Sequence, residues 1–116
     1  MKHLIDINWQ EAIKIEKGIK KQHLFPMNSD VKISDELVFI INKNEEDMEM
    51  LPPITCVKIY YYDFKILNNK LQIIENNNVL SGKDSIELSK KLGFDGLTSL
   101  KNHINQNTEY KSVAWF

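Results

Sequence analysis

TCVKIYYYDFKILNNKLQII, residues 55–74, decides how the rest of the chain is read. Val57, Ile59 and Tyr61 share one parity, and Lys58, Tyr60 and Tyr62 share the other. That alternation is the signature of a half-buried strand. Asn68-Asn69 follows, and asparagine tolerates the positive φ that a two-residue hairpin demands. LQII then returns. The segment predicts two antiparallel strands joined by a tight turn. Two readings of Tyr60 and Tyr62 stay open. They stack bases on an outer face, or they pack against a flanking helix with their hydroxyls in water.

Working outward, Asn8 is a helix cap with Glu11 as its reciprocal partner. Trp9, Ala12 and Ile13 then share a face, with Ile15 at its margin, and Gly18 sits where a left-handed C-terminal residue belongs. Residues 9–17 are therefore expected to be a short amphipathic helix. Residues 19–25 look extended and stop at Pro26, and MNSD is a turn. Val31, Ile33, Leu37, Phe39 and Ile41 share a parity that Asp35 interrupts, giving one strand or two with a bend at SDE. NKNEEDMEM and NNNVLSG read as loops. Asp84 with Glu87 forms a second capping box, Leu88 and Leu92 follow at i, i+4, and Gly93 ends that helix. Asp95 or Gly96 starts another carrying Leu97, Leu100 and Ile104, and YKSVAWF is a final strand. The expectation is one α+β domain over residues 1–116. Five to six strands would form a small mixed sheet closed into a barrel, with short helices flanking it.

Composition narrows the function classes. Net charge is −1, so phosphate neutralisation alone does not drive nucleic-acid binding. All fifteen basic residues are lysine, which removes the bidentate guanidinium fork. Codon bias is the simpler cause, and the physical consequence is the same. Cys56 is the single cysteine, so no internal disulfide forms; a buried inert thiol is the expectation there. His3, His23 and His103 show no metal-ligand spacing, and Glu45, Glu46, Asp47 and Glu49 lack calcium-loop spacing. No metal site or cofactor is expected. With four glycines there is no phosphate-cradling loop. The N-terminal MKHLIDINWQ lacks a signal-peptide apolar run, and no stretch reaches the length of a membrane helix, so a cytoplasmic protein is expected.

Chemistry-bearing residues concentrate in EKGIKKQHLFP, residues 16–26. In an extended segment Lys20 and Gln22 share one face, and Lys21 and His23 share the other. Lys20 beside a cleft holds an anion, and His23 donates to it or acts as a base near neutral pH. The plainer alternative is a solvated edge strand whose lysines oppose aggregation. Phe25 is a stacking platform or a core residue.

The ordered set KGIKKQHLF, VKISDELVFI, CVKIYYYDF, ELSKKLGFDGLTSLKNHI and VAWF resembles the ASCH domain family of the PUA-like superfamily along most of the chain. Gly18 and Lys20 match the first positions of the family's Gly-x-Lys-x-x-Thr-x-Arg segment, and Ser34 stands in a glycine's place. The resemblance implies a PUA-like barrel with a cleft beside Lys20, and links to RNA binding or to hydrolysis of acetylated cytidine by a Lys/Thr/Glu set. Here the threonine position is His23, the arginine position is Phe25, and the acidic position before Gly-Phe is Leu92. The expectation is therefore a non-enzymatic module that binds RNA or a nucleotide-like ligand through Lys20, Lys21, His23 and Phe25. The alternatives are a small amidohydrolase for an acylated nucleoside, using Lys20 and His23, and a protein-interaction module that uses the outer aromatic face.

Overall fold

The computed structural model describes residues 1–104 and 106–115. The elements run β1 (Lys2–Ile7), α1 (Trp9–Glu16), β2 (Gln22–Pro26), β3 (Glu36–Ile41), β4 (Glu49–Met50), β5 (Ile54–Thr55), β6 (Lys58–Leu67), β7 (Lys70–Glu75), β8 (Asn78–Val79), α2 (Gly82–Lys91), α3 (Leu97–Ile104) and β9 (Thr108–Ala114). Phe116, expected in the final strand, lies outside the described residues.

These strands form two sheets, and neither is a closed barrel. One sheet has β3 at its centre, with β1 parallel on one side and β4 and β5 antiparallel on the other. The other is antiparallel throughout, in the order β2-β9-β6-β7-β8. This corrects the expectation of a single PUA-like barrel of five to six strands; the α+β class itself is retained. The physical reason begins at the N-terminus. KHLIDI carries too few apolar residues to announce a strand, yet Ile5 and Ile7 alternate into the core. Pairing parallel to β3, this segment starts a second sheet instead of extending the first. The sheet edges then stay apart, at β1, β4 and β5 in one case and at β2 and β8 in the other.

Strand β3 explains a second departure. Leu37 to Ile41 are all buried, so both faces of the strand are covered and its sequence is a continuous apolar run. The parity shared with Val31 and Ile33 does not extend the strand. Ile33 is exposed, and Asp35 organises a turn by accepting the Lys32 N–H at 3.0 Å. Ser34 takes φ 78°, a conformation that favours glycine.

The hairpin at Asn68-Asn69 forms as the sequence indicates. Both residues have positive φ, 50° and 62°, and Leu67 pairs with Lys70. The same device recurs at Asn76-Asn77, with φ 51° and 67° and Glu75 paired with Asn78. There a stretch expected to be a loop builds the short strand β8. Helix α2 is capped by Ser81, whose hydroxyl accepts the Asp84 N–H at 3.1 Å, so its start lies three residues before the expected Asp84 box.

The antiparallel sheet is the middle layer of the molecule. One face meets the mixed sheet and α1 through Phe25, Ile59 and Val113, packed with Ile5, Leu37, Phe39, Ile41 and Trp115. The opposite face meets α2 and α3 through Leu24, Tyr60, Tyr62, Phe64 and Ile73, packed with Leu88, Leu92, Leu100 and Ile104. Tyr60 and Tyr62 therefore pack under the helices, stacked at 6.1 Å, while Tyr61 faces solvent. Among the described residues, no helix is long and apolar enough to cross a membrane.

Candidate functional site

A cleft of about 480 Å³ opens where α1, β2 and the α2–α3 junction meet. Asp6, Asn8, Gln10 and Glu11 come from the β1–α1 side, Lys20, His23 and Leu24 from β2 and its lead-in, and Leu92, Gly93, Phe94 and His103 from the helical pair. Local structure at the end of α1 sets it up. Gly18, at φ 73°, reverses the chain, and the Ile19 and Lys20 N–H groups both bond to the Lys14 carbonyl. That turn drops the Lys20 side chain inward, where 2% of it remains exposed. The next residue is clamped through its backbone. The Lys21 N–H bonds to the Lys91 carbonyl at 2.7 Å, and the Lys21 carbonyl accepts from Trp115 at 3.1 Å. The Lys21 side chain is left in solvent and does not line the cleft.

Lys20 Nζ donates to the Leu92 carbonyl at 2.6 Å and lies 3.7 Å from Glu11 Oε2. Burial pulls its pKa down to about 8, against the pull of the Glu11 carboxylate, with a smaller downward push from Lys14. An ammonium has three N–H groups, so donor capacity remains beyond the Leu92 bond. Gly93 is essential to this arrangement. Its φ is 93°, and a Cβ there would sit 2.8 Å from Lys20 Cδ. Leu92, at the position where the resemblance expects an acid, buries its side chain among the helices and contributes its carbonyl instead. The carboxylate beside the lysine comes from Glu11.

His23 lines the same cleft. Its ring makes edge contacts with Phe25 at 5.3 Å and Phe39 at 5.8 Å. Burial, then the charge of Lys20, then His103, hold its pKa down to about 3, so the imidazole is neutral at physiological pH. The buried Nδ1 has no hydrogen-bond partner among the described residues. This departs from the expectation of a base poised near neutrality, because a group that protonates near pH 3 is a weak base. Phe25 packs in the core between the sheets and does not line the cleft. Cys56 is buried in that core, where burial pushes its thiol pKa up.

Of the four expected binding residues, Lys20 and His23 thus share one cleft, and Lys21 and Phe25 lie elsewhere. Sequence reading missed Glu11, Gly93 and His103 as members. Glu11 has capping-box spacing, and its N–H does bond to Asn8 Oδ1 at 2.8 Å; no spacing rule separates a capping glutamate from one whose carboxylate faces a lysine. Gly93 announces only a helix end.

The lining carries two carboxylates, Asp6 and Glu11, against the Lys20 ammonium. Such a mixture does not concentrate phosphate. It does present hydrogen-bond donors and acceptors side by side, with Leu24, Leu92 and Phe94 as apolar surface. Among the described residues no serine, threonine or cysteine lines the cleft. No family model, no curated protein and no solved structure matches this chain.

Proposed function

We propose that this cleft binds the base of a nucleoside-like ligand, free or within single-stranded RNA, without catalysing a reaction. The observation that carries the reading is the convergence of a buried lysine, a carboxylate and a neutral histidine on one cavity. A nucleobase edge carries both donors and acceptors. The Lys20 N–H groups suit a ring carbonyl or ring nitrogen, and Glu11 suits an exocyclic amine. Phe94 supplies an aromatic surface. The volume falls within the range of small-molecule clefts. The two acidic residues direct phosphates outward, so affinity rests on the base, and its salt dependence is shallow. The ASCH resemblance at Gly18 and Lys20 points to the same ligand class.

Calorimetric titration with cytidine, adenosine and a short single-stranded RNA tests this. Saturable binding is expected, weakened at least about tenfold in Lys20→Ala and unchanged in Lys21→Ala. Equal weakening in both variants, or no saturable binding to any of the three, overturns it.

One observation favours a second reading, hydrolysis of an acylated nucleoside. Glu11, 3.7 Å from Lys20, supplies the carboxylate missing at Leu92. Water would be the nucleophile, since among the described residues no hydroxyl side chain lines the cleft. Turnover of an acylated cytidine that disappears in Glu11→Gln would establish this reading in place of simple binding.

A further inference from the structure

The cleft also has the parts needed for covalent capture of a carbonyl compound. An amine that forms an imine must be held out of water, next to a group that can move protons, with space for the carbonyl carbon beside it. Lys20 meets each requirement. Its side chain is buried, it lines a cavity of about 480 Å³, and the Glu11 carboxylate stands 3.7 Å away. Each other lysine of the chain except Lys111 is at least partly exposed, and the Lys111 ammonium is taken up by the carbonyls of Ser29 and Val31.

We infer that Lys20 is an imine-forming amine that captures a small, neutral, flat aldehyde or ketone in the cleft. The uncharged Nζ adds to the carbonyl carbon, forming the N–C bond while the carbonyl π pair moves to oxygen. The proton lost from nitrogen passes through Glu11 to that oxygen and gives a carbinolamine. Glu11 takes up one proton from solvent, and the nitrogen lone pair then expels the hydroxyl group, which receives that proton from Glu11 and leaves as water. The product is a protonated imine, and no oxidant or reductant takes part. Its single remaining N–H keeps the acceptor that Lys20 already uses, the Leu92 carbonyl at 2.6 Å. Glu11 balances its charge. Leu24, Leu92 and Phe94 offer apolar surface to the flat substituent. The lowered pKa of Lys20 is consistent with this, because it leaves a useful fraction of free amine near pH 8.

This inference needs the cleft but not the nucleoside reading, and the two fail separately. Treat the intact protein at pH 8 with benzaldehyde and cyanoborohydride, which reduces the imine to a stable secondary amine, and map the labelled lysines by peptide mass. Lys20 is expected to label on the order of a hundredfold faster than the exposed lysines, as its greater free-amine fraction at pH 8 implies. Its rate should saturate with aldehyde concentration and rise to half-maximum near pH 8. Glu11→Gln should slow labelling at Lys20 alone, and Lys20→Arg should remove the fast label while circular dichroism shows the fold retained. A Lys20 that labels more slowly than the exposed lysines, as a purely structural buried amine would, overturns the inference. Loss of nucleoside binding with fast Lys20 labelling intact removes only the nucleoside reading.

Discussion

At the scale of single residues, the cleft depends on groups that are costly to place. His23 is held neutral inside the fold, with a pKa of about 3 against an ordinary value of 6.5. A histidine whose folded pKa is depressed contributes stability that is complete above 6.5 and is lost as pH falls toward 3. At pH 4.5 the loss through this group is roughly 3 kcal/mol. His23→Phe should lack that acid-side loss between pH 6.5 and 4.5; chemical denaturation at both pH values measures it, and equal losses in the two proteins would refute the assignment. Gly93→Ala combines a forbidden φ with a 2.8 Å approach to Lys20. It should cost about 1–3 kcal/mol and displace Lys20, abolishing ligand binding even where the protein still folds. An alanine variant of full stability and full binding would contradict the close packing.

At the scale of elements, the sequence is most legible where a turn demands a particular residue type. Asn68-Asn69 and Gly18 announce their conformations because few residues tolerate positive φ. Asn76-Asn77 carries the same signal, but the strand beyond it is only two residues long, too short for alternation to show. Asn77→Val should destabilise by about 1–2 kcal/mol, the cost of a left-handed β-branched residue, whereas Asn77→Gly should not; thermal melts of the two variants decide it. Helix α1 was legible as a helix, yet its most consequential side chain was not. Glu11 supports the Lys20 charge, so Glu11→Gln should shift the Lys20 pKa below its value of about 8. An unchanged Lys20 pKa would show that the pair does not interact.

At the scale of the whole molecule, β2, β3, β6 and β7 were readable, but β4, in a stretch expected to be a loop, β5 and the way the strands assemble were not. The deciding contact is β1 on β3, a parallel pairing that joins residues over thirty positions apart. Parallel partners lack the turn that makes hairpins visible in sequence. The cleft was half legible for a related reason. Lys20 and His23 lie within one stretch, but Glu11, Gly93 and His103 reach it only through the packing of three separate elements. The two cores suggest a test of the layering. Phe39 lies in the core between the sheets and Phe64 under the helices. Phe39→Leu and Phe64→Leu should each cost about 1 kcal/mol, and their effects should add within about 0.5 kcal/mol. A coupling well above that would indicate one shared core.

The binding reading and the imine reading both stand on a buried Lys20 whose pKa burial has lowered. Nuclear magnetic resonance titration of the fifteen lysine Cε signals measures this directly. One lysine is expected to titrate near pH 8, with its signal absent from Lys20→Arg and the fold unchanged. If every lysine titrates near the ordinary value of about 10.4, Lys20 is solvated and the cleft described here does not exist.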